Sequence, residues 1–363
     1  MILEFYILLA KVFSQYCLRS QSLIMASCLL YGGVTPAVAT NFSQLYKPLP
    51  ALTANELGVI VNDADPLSIK ITDYYQQQRK IPEQNIIHIH FSPGTKVLSV
   101  SEFKQIKQKT DALTPKNVEA YVLTWMQPYR VGCMSITTAF AAGYDDSFCA
   151  RGCKKTRESP YFGSELDKPY THFKWRPAMA LAGESFADVK ALIDRGISSD
   201  YSHPQGRAYL LNTSDKLRSS RAVFFPEIIS VFDGLWPVET LQRDYIENKQ
   251  DVMFYFTGKT HIKKIRSNQF LPGAVADHLT STGGVLSGGK QMSIIEWIKA
   301  GATGSYGAVI EPCNFVQKFP HPGIMMSYYI RGNSLIEAYW KSVAWPGQGL
   351  FIGEPLAKPF AYR

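Results

Sequence analysis

The residues with the most chemical reach lie between Met253 and Phe360, where apolar runs end repeatedly in short clusters that carry His, Ser, Glu or Cys. His261 stands a few residues past the run Val252–Phe256, and Cys313 stands just past Ser305–Ile310. An imidazole that takes a thiol proton, with donors for an oxyanion, would make Cys313 a nucleophile and His261 its base. A structural or disulfide role for Cys313 is the competing reading. Asp277-His278 offers a second base. His278 could orient Ser281 or serve Cys313, with Asp277 in support, or it could be a buried histidine that holds a turn. Glu311-Pro312 and Glu354-Pro355 each close an apolar run. Two carboxylates at one sheet edge would hold a cation or share a proton, and pairing with Lys318 or Lys341 is the alternative.

Other chemistries find less support. Ser281 does not sit in a G-x-S-x-G elbow. The stretch GGVLSGGK is followed by Gln291, which breaks the phosphate-loop pattern. No G-x-G-x-x-G follows the first apolar run, so no nucleotide cofactor is expected. Asp63 and Asp65 invite a metal, but Asp65 before Pro66 is simpler as a helix cap. Cys149-Ala-Arg-Gly-Cys153 is expected to close a small disulfide ring, leaving the other thiols free. Zinc on these thiolates would need more cysteines or a His such as His172, and no metal site is expected.

These residues need a scaffold that brings strand ends together. Continuous apolar runs at 57–61, 86–91, 121–125, 178–182, 208–211, 252–256, 305–310 and 350–352 read as buried strands. Helical patterns alternate with them. Asp65-Pro66, Ser99 with Glu102, Ser185, and Ser334 with Glu337 supply helix starts. This order predicts an α/β fold, a mainly parallel sheet with helices on both faces, flavodoxin-like or caspase/gingipain-like. Residues 126–174 break the rhythm and read as a cysteine-bearing loop insertion. The expected divisions are 40–125, a first α/β half; 126–174, the insertion; and 175–363, a second α/β half.

Residues 1–39 read as an export signal. Lys11 and Arg19 supply charge, Leu23–Val34 an apolar stretch, and Ala37-Val38-Ala39 a cut before Thr40. Met25 lies inside this region and is an alternative start. The stretch is too interrupted by Tyr31, Gly32 and Gly33 to span a bilayer comfortably, and no later run resembles a membrane helix. The expected location is therefore periplasmic, outer-surface or secreted. The chain of 363 residues carries a net charge of +8. Its lysines and arginines are dispersed, which argues against a nucleic-acid groove. A soluble basic surface is the preferred reading of this charge, and loose attraction to anionic polysaccharide or lipid is the alternative.

Several stretches carry a resemblance: VIVNDADPLSIKITDYYQQQRKIPEQNI, TAFAAGYDDSFC, GAVADHLTSTGG, GATGSYGAVIEPCNFVQKFPHP, EAYWKSV and GEPLAKPF. Over about residues 55–360 the chain resembles an uncharacterised family of exported bacterial proteins found with the exosortase/PEP-CTERM surface-sorting system. That resemblance implies export and partners at the cell surface or in the sorting machinery, with no assigned activity. The chain is also similar, more weakly, to gingipain and caspase-like cysteine peptidases, which carry a His after one strand and a Cys after the next. Their Gly-His-Gly corresponds here to Thr257-Gly-Lys-Thr-His261, and one alignment puts their Cys near Ser281. Only the alignment with Cys313 keeps the dyad. The resemblance implies either a cysteine-peptidase-like hydrolase or a non-catalytic surface-assembly or binding protein on the same fold. The motif mismatch favours the second.

Overall fold

Runs such as LGVIV and VMFYF do not alternate, so they suit strands covered on both faces. They form part of a ten-stranded sheet in the computed structural model, which describes residues 47–362. The proposed leader therefore lies outside the described residues. In chain order the strands are β1 (Leu57–Asn62), β2 (Ile86–Ile89), β3 (Val97–Leu98), β4 (Ala120–Leu123), β5 (Arg130–Val131), β6 (Met134–Ser135) and β7 (Ala178–Ala180). They continue as β8 (Arg207–Leu211), β9 (Val238–Leu241), β10 (Val252–Thr257), β11 (Phe270–His278), β12 (Gly304–Ala308) and β13 (Gly349–Gly353). The large sheet has the order β2-β1-β4-β7-β13-β12-β11-β10-β8-β9, and β3, β5 and β6 form a small separate sheet.

Every pairing in the large sheet is parallel except β12 with β13. The sheet is thus two parallel sets that run in opposite directions and meet at one antiparallel ladder, Gly304–Ala308 against Gly349–Gly353. The α/β class with a mainly parallel sheet is what the sequence pattern predicts. The sheet continues across the expected divisions, because β7 and β13 join the set begun by β1, β2 and β4.

The helices begin where capping chemistry allows. In α1 (Pro66–Arg79) Asp65 accepts the Leu67 N–H at 2.9 Å. Ser99 caps α2 (Val100–Leu113) and Ser135 caps α3 (Ile136–Ala142). After the short α4 (Pro169–Phe173), Ser185 and Asp188 form a capping box on α5 (Phe186–Ser199). Then come α6 (Phe225–Phe232), α7 (Ile295–Ala300), α8 (Pro322–Ile330) and α9 (Leu335–Ser342), the last with the Ser334–Glu337 box. The stretch 126–174 is more ordered than its lack of periodicity implies. It holds the β5–β6 hairpin and the buried helix α3, whose Thr138 Oγ1 donates to Pro346 O at 2.8 Å. Among the described residues no helix is long and apolar enough to cross a membrane.

Strand β11 is the main departure from expectation. Pro272 and Gly273 interrupt the apolar run over 270–278, which hides a strand signal. Tertiary partners rescue it. Gly273 N–H donates to Thr303 Oγ1, and Tyr329 OH donates to Gly273 O, each at 3.0 Å. With β11 in place, β10 and β12 are not neighbours.

The reversal at β12/β13 also corrects the paired-carboxylate expectation. Glu311 follows the carboxyl end of β12, whereas Glu354 follows that of β13, and in an antiparallel pair these ends are opposite. Glu354 is fully buried. It accepts from Tyr75 OH at 2.6 Å and pairs with Arg79, which also pairs with Asp200. Gly196 makes room, since a Cβ there would lie 2.6 Å from the Glu354 side chain. Neither Lys318 nor Lys341 pairs with Glu354: Lys341 Nζ donates to Asn333 Oδ1 at 3.0 Å, and Lys318 Nζ donates to backbone carbonyls. Arg79→Met should lower unfolding free energy in urea titrations by about 3 kcal/mol, because it strands a buried carboxylate, and adding Glu354→Leu should recover most of that loss. A single variant as stable as wild type would contradict this account.

Candidate functional site

In a parallel sheet the loops beyond the carboxyl ends of the strands carry the groups available for chemistry. On the β8–β12 set these loops enclose a cavity of about 140 Å³. Ser281, Glu311 and Cys313, all expected site residues, line it together with Leu217, Arg218, Leu279, Thr280, Pro312, Asn314 and Phe319. His261 is exposed and is not among the lining residues.

The loop after β11 is fixed by its own polar residues. Gln291 Oε1 accepts from Thr280 Oγ1 and the Thr282 N–H at 2.8 Å, and from Thr282 Oγ1 at 3.0 Å. Gly284 N–H donates to Ala308 O at 2.8 Å, seating the loop on β12. A Cβ on Gly284 would lie 2.3 Å from Gly307 O, so the Gly283-Gly284 pair permits this approach. Across the cavity, Arg218 Nε donates to Thr280 Oγ1 at 3.2 Å, while its Nη1 pairs with Asp215 at 2.8 Å. Glu311 Oε1 accepts the Cys313 N–H at 2.8 Å, and Ser220 Oγ donates to Asn314 Oδ1 at 3.0 Å. Arg218, Thr280 and Asn314 were not expected. Arg218 lies in the polar cluster after β8, so the strand-end rule that drew attention to Cys313 extends to it.

The cysteines correct two expectations. The bridges are Cys133–Cys149 and Cys153–Cys313, with Cα separations of 5.5 and 5.4 Å. Cys149 does not pair with Cys153. A turn closed by Cys153 N–H to Ala150 O, 2.9 Å, has Gly152 and Cys153 at φ 74° and 56°. It carries Cys153 to the surface while Cys149 stays buried beside Cys133. Cys313 Sγ is therefore not a free thiol, and the Cys313–His dyad is not formed. The thiolates a zinc ion would need are likewise committed to disulfides, and among the described residues no group of three or more His, Cys, Asp or Glu could hold a metal.

Asp277 and His278 are neighbours on β11, so their side chains leave opposite faces of the sheet. Asp277 is buried and pairs with Arg221 at 2.6 Å. Burial raises its pKa, opposed by Arg221. His278 is buried on the other face. Trp297 Nε1–H donates to His278 Nδ1 at 2.8 Å, which leaves the proton on Nε2 to donate to Met292 O at 3.1 Å. Both ring nitrogens are occupied, so His278 has no lone pair for a base. Burial pulls its pKa down to about 3; the Met292 carbonyl opposes this, and the charges of Arg221 and His261 reinforce it. The structure thus separates Asp277, His278 and His261 from the cavity that holds Ser281, Glu311 and Cys313.

No family model matches this chain, and no curated protein matches it. Two solved structures are similar. One is gingipain R, an Arg-specific cysteine proteinase, at 11% identity and a TM-score of 0.44, covering 86% of this chain and 80% of that one. The other is described as a protease, at 10% identity and a TM-score of 0.39, covering 88% and 81%. Likeness of this degree carries no argument about activity, and the α/β assignment rests on the strand order itself.

The histidine geometry gives a pH signature. The folded pKa of His278 is depressed to about 3, below the ordinary 6.5. The unfolded chain then binds the extra proton between these values, so stability is fully present above pH 6.5 and falls as pH drops toward 3. In denaturant titrations the wild type should lose about 3 kcal/mol more than His278→Gln between about pH 7 and pH 4. Parallel pH profiles for the two proteins would refute the assignment.

Proposed function

We propose that this is an exported, non-catalytic binding or surface-assembly protein on a peptidase-like α/β fold, with its ligand entering the cavity between Arg218, Ser281 and Glu311. The observation that carries this reading is the Cys153–Cys313 bridge, which turns the sulfur nearest the cavity into a cross-link. Two further facts support it. His278 spends both nitrogens on Trp297 and Met292, and the loop after β11 carries Thr280 and Ser281 where the peptidase resemblance calls for a cysteine. Paired disulfides support passage to an oxidising compartment, and the resemblance to the exosortase-associated family supports a surface setting there. The cavity mixes apolar walls with Arg218, Glu311 and Asn314. Such a lining suits one polar or charged group on an otherwise apolar segment.

The test uses protein recovered from the export compartment without reductant. The expected result is no labelling by an iodoacetamide-based peptidase probe and no casein hydrolysis that Cys313→Ser abolishes. Hydrolysis lost in that variant would overturn the non-catalytic reading. For binding, Ser281→Trp fills the cavity and should weaken retention on isolated cell envelopes by about tenfold, a loss of about 1.4 kcal/mol, with the thermal transition unchanged. Equal retention would remove the cavity as the binding site.

A further inference from the structure

The two disulfides sit in opposite environments. Cys133 and Cys149 are each 6% exposed, and Asp146 Oδ1 lies 3.6 Å from Cys149 Sγ. Burial hinders an attacking thiolate, and the carboxylate repels it and disfavours a thiolate leaving group. The Cys153–Cys313 bridge is accessible: Cys153 is exposed and Cys313 borders the cavity. Both half-cystines have positive φ, 56° and 62°, a sparsely populated region for residues with a side chain. Surrounding contacts must therefore hold the two backbones in place. Cys153 N–H is held by Ala150 O and Cys313 N–H by Glu311 Oε1, and one ammonium ties the two segments together. Lys318, 1% exposed, donates from Nζ to Pro312 O at 2.6 Å and to Lys154 O at 3.2 Å, the carbonyls of the residues beside Cys313 and Cys153. A buried cation held on the peptides that flank both half-cystines favours departure of a thiolate, and it counters the Glu311 carboxylate that accepts the Cys313 N–H.

We propose that Cys153–Cys313 is a thiol–disulfide exchange site through which an external thiol opens the cavity rim and exposes Cys313. The thiolate of the incoming thiol attacks the sulfur of the exposed residue Cys153. A sulfur–sulfur bond forms there, the Cys153–Cys313 bond breaks, and the electron pair leaves on Cys313. The number of disulfides is unchanged in this step. A second thiol resolves the mixed disulfide: its thiolate attacks the sulfur of the first, and Cys153 departs as a thiolate. The two thiols are oxidised to one disulfide as the bridge is reduced by two electrons, and solvent takes or returns the protons. Cys313 then borders the cavity with Thr280 and Ser281 as a thiolate. This inference goes beyond the binding reading and does not rest on it, since exchange is measurable whether or not a ligand enters.

Native protein is incubated with reduced glutathione at neutral pH, quenched with iodoacetamide, and digested for mass spectrometry. The expected products carry glutathione on Cys153 and the alkyl group on Cys313, formed at least about tenfold faster than any product from Cys133–Cys149. Equal rates for both bridges, or reaction only after unfolding, would overturn the site. Glutathione on Cys313 would overturn the direction of attack. Lys318→Met should slow exchange severalfold while leaving circular dichroism unchanged. An unchanged rate in that folded variant would remove Lys318 from the account, and if the variant does not fold, the order of labelling in the wild type still decides the site.

Discussion

The antiparallel ladder between β12 and β13 sets the geometry of everything else. Ladder pairs run from Gly304 with Gly353 to Ala308 with Gly349. Parallel sets present their loops at one edge, so reversing one set sends the two groups of loops to opposite ends of the same sheet. Packing holds the reversal. Tyr306 meets Phe351 with ring centroids 4.9 Å apart, and Phe351 stacks on Trp340 at 4.4 Å. Gly349 lets Tyr306 cross the ladder, because a Cβ there would lie 1.8 Å from its hydroxyl. The consequence is chemical. Glu354, with Tyr75 and Arg79, belongs to the structural end of the sheet junction, while Glu311 belongs to the cavity.

Strand alternation imposes the second constraint. Asp277 and His278 read in sequence as an acid and a base side by side. On a strand adjacent residues cannot share a face, so each is claimed by a different helix layer. Arg221, just ahead of α6, takes the carboxylate. Trp297 of α7 takes the imidazole. Buried polar groups must be matched to avoid a desolvation cost of about 1–3 kcal/mol each. At His278 the matching uses up both ring nitrogens that a catalytic base would keep open, while Asp277 meets Arg221 through Oδ1 and keeps Oδ2 buried without a hydrogen-bond partner.

These constraints explain what the sequence could reveal. The buried strands, the Asp65, Ser99, Ser185 and Ser334 caps and the α/β class were legible because they depend on local chemistry. Strand β11 was not, because Pro272 and Gly273 are compensated by Thr303 and Tyr329 from other elements. Missing it made β10 and β12 look adjacent, and so made His261 and Cys313 look like partners. The helix α8 was not anticipated either, because its N-cap is His321 rather than the Asp or Ser that marks the other starts named above. At the cavity, Glu311 and Cys313 were legible from the end of β12, and Ser281 as a group that His278 could orient. Arg218 also follows a strand end, but its role was not legible because it depends on a crossing from β8 to the loop after β11.

Cysteine spacing misled for a related reason. Proximity in sequence favours a small ring, yet the pairing follows burial: Cys149 remains in the core and Cys153 turns outward. The longer bridge spans 160 residues and the shorter 16. In the chain-entropy account they restrict the unfolded state by about 5 and about 3 kcal/mol. That contribution acts on the unfolded chain and says nothing about how fast a folded bridge exchanges. Exchange depends on access and on the charge beside the leaving sulfur. The bridge that constrains the chain most is therefore also the one a dissolved thiol can reach, and Lys318 links the two properties by holding the peptide on each side of it.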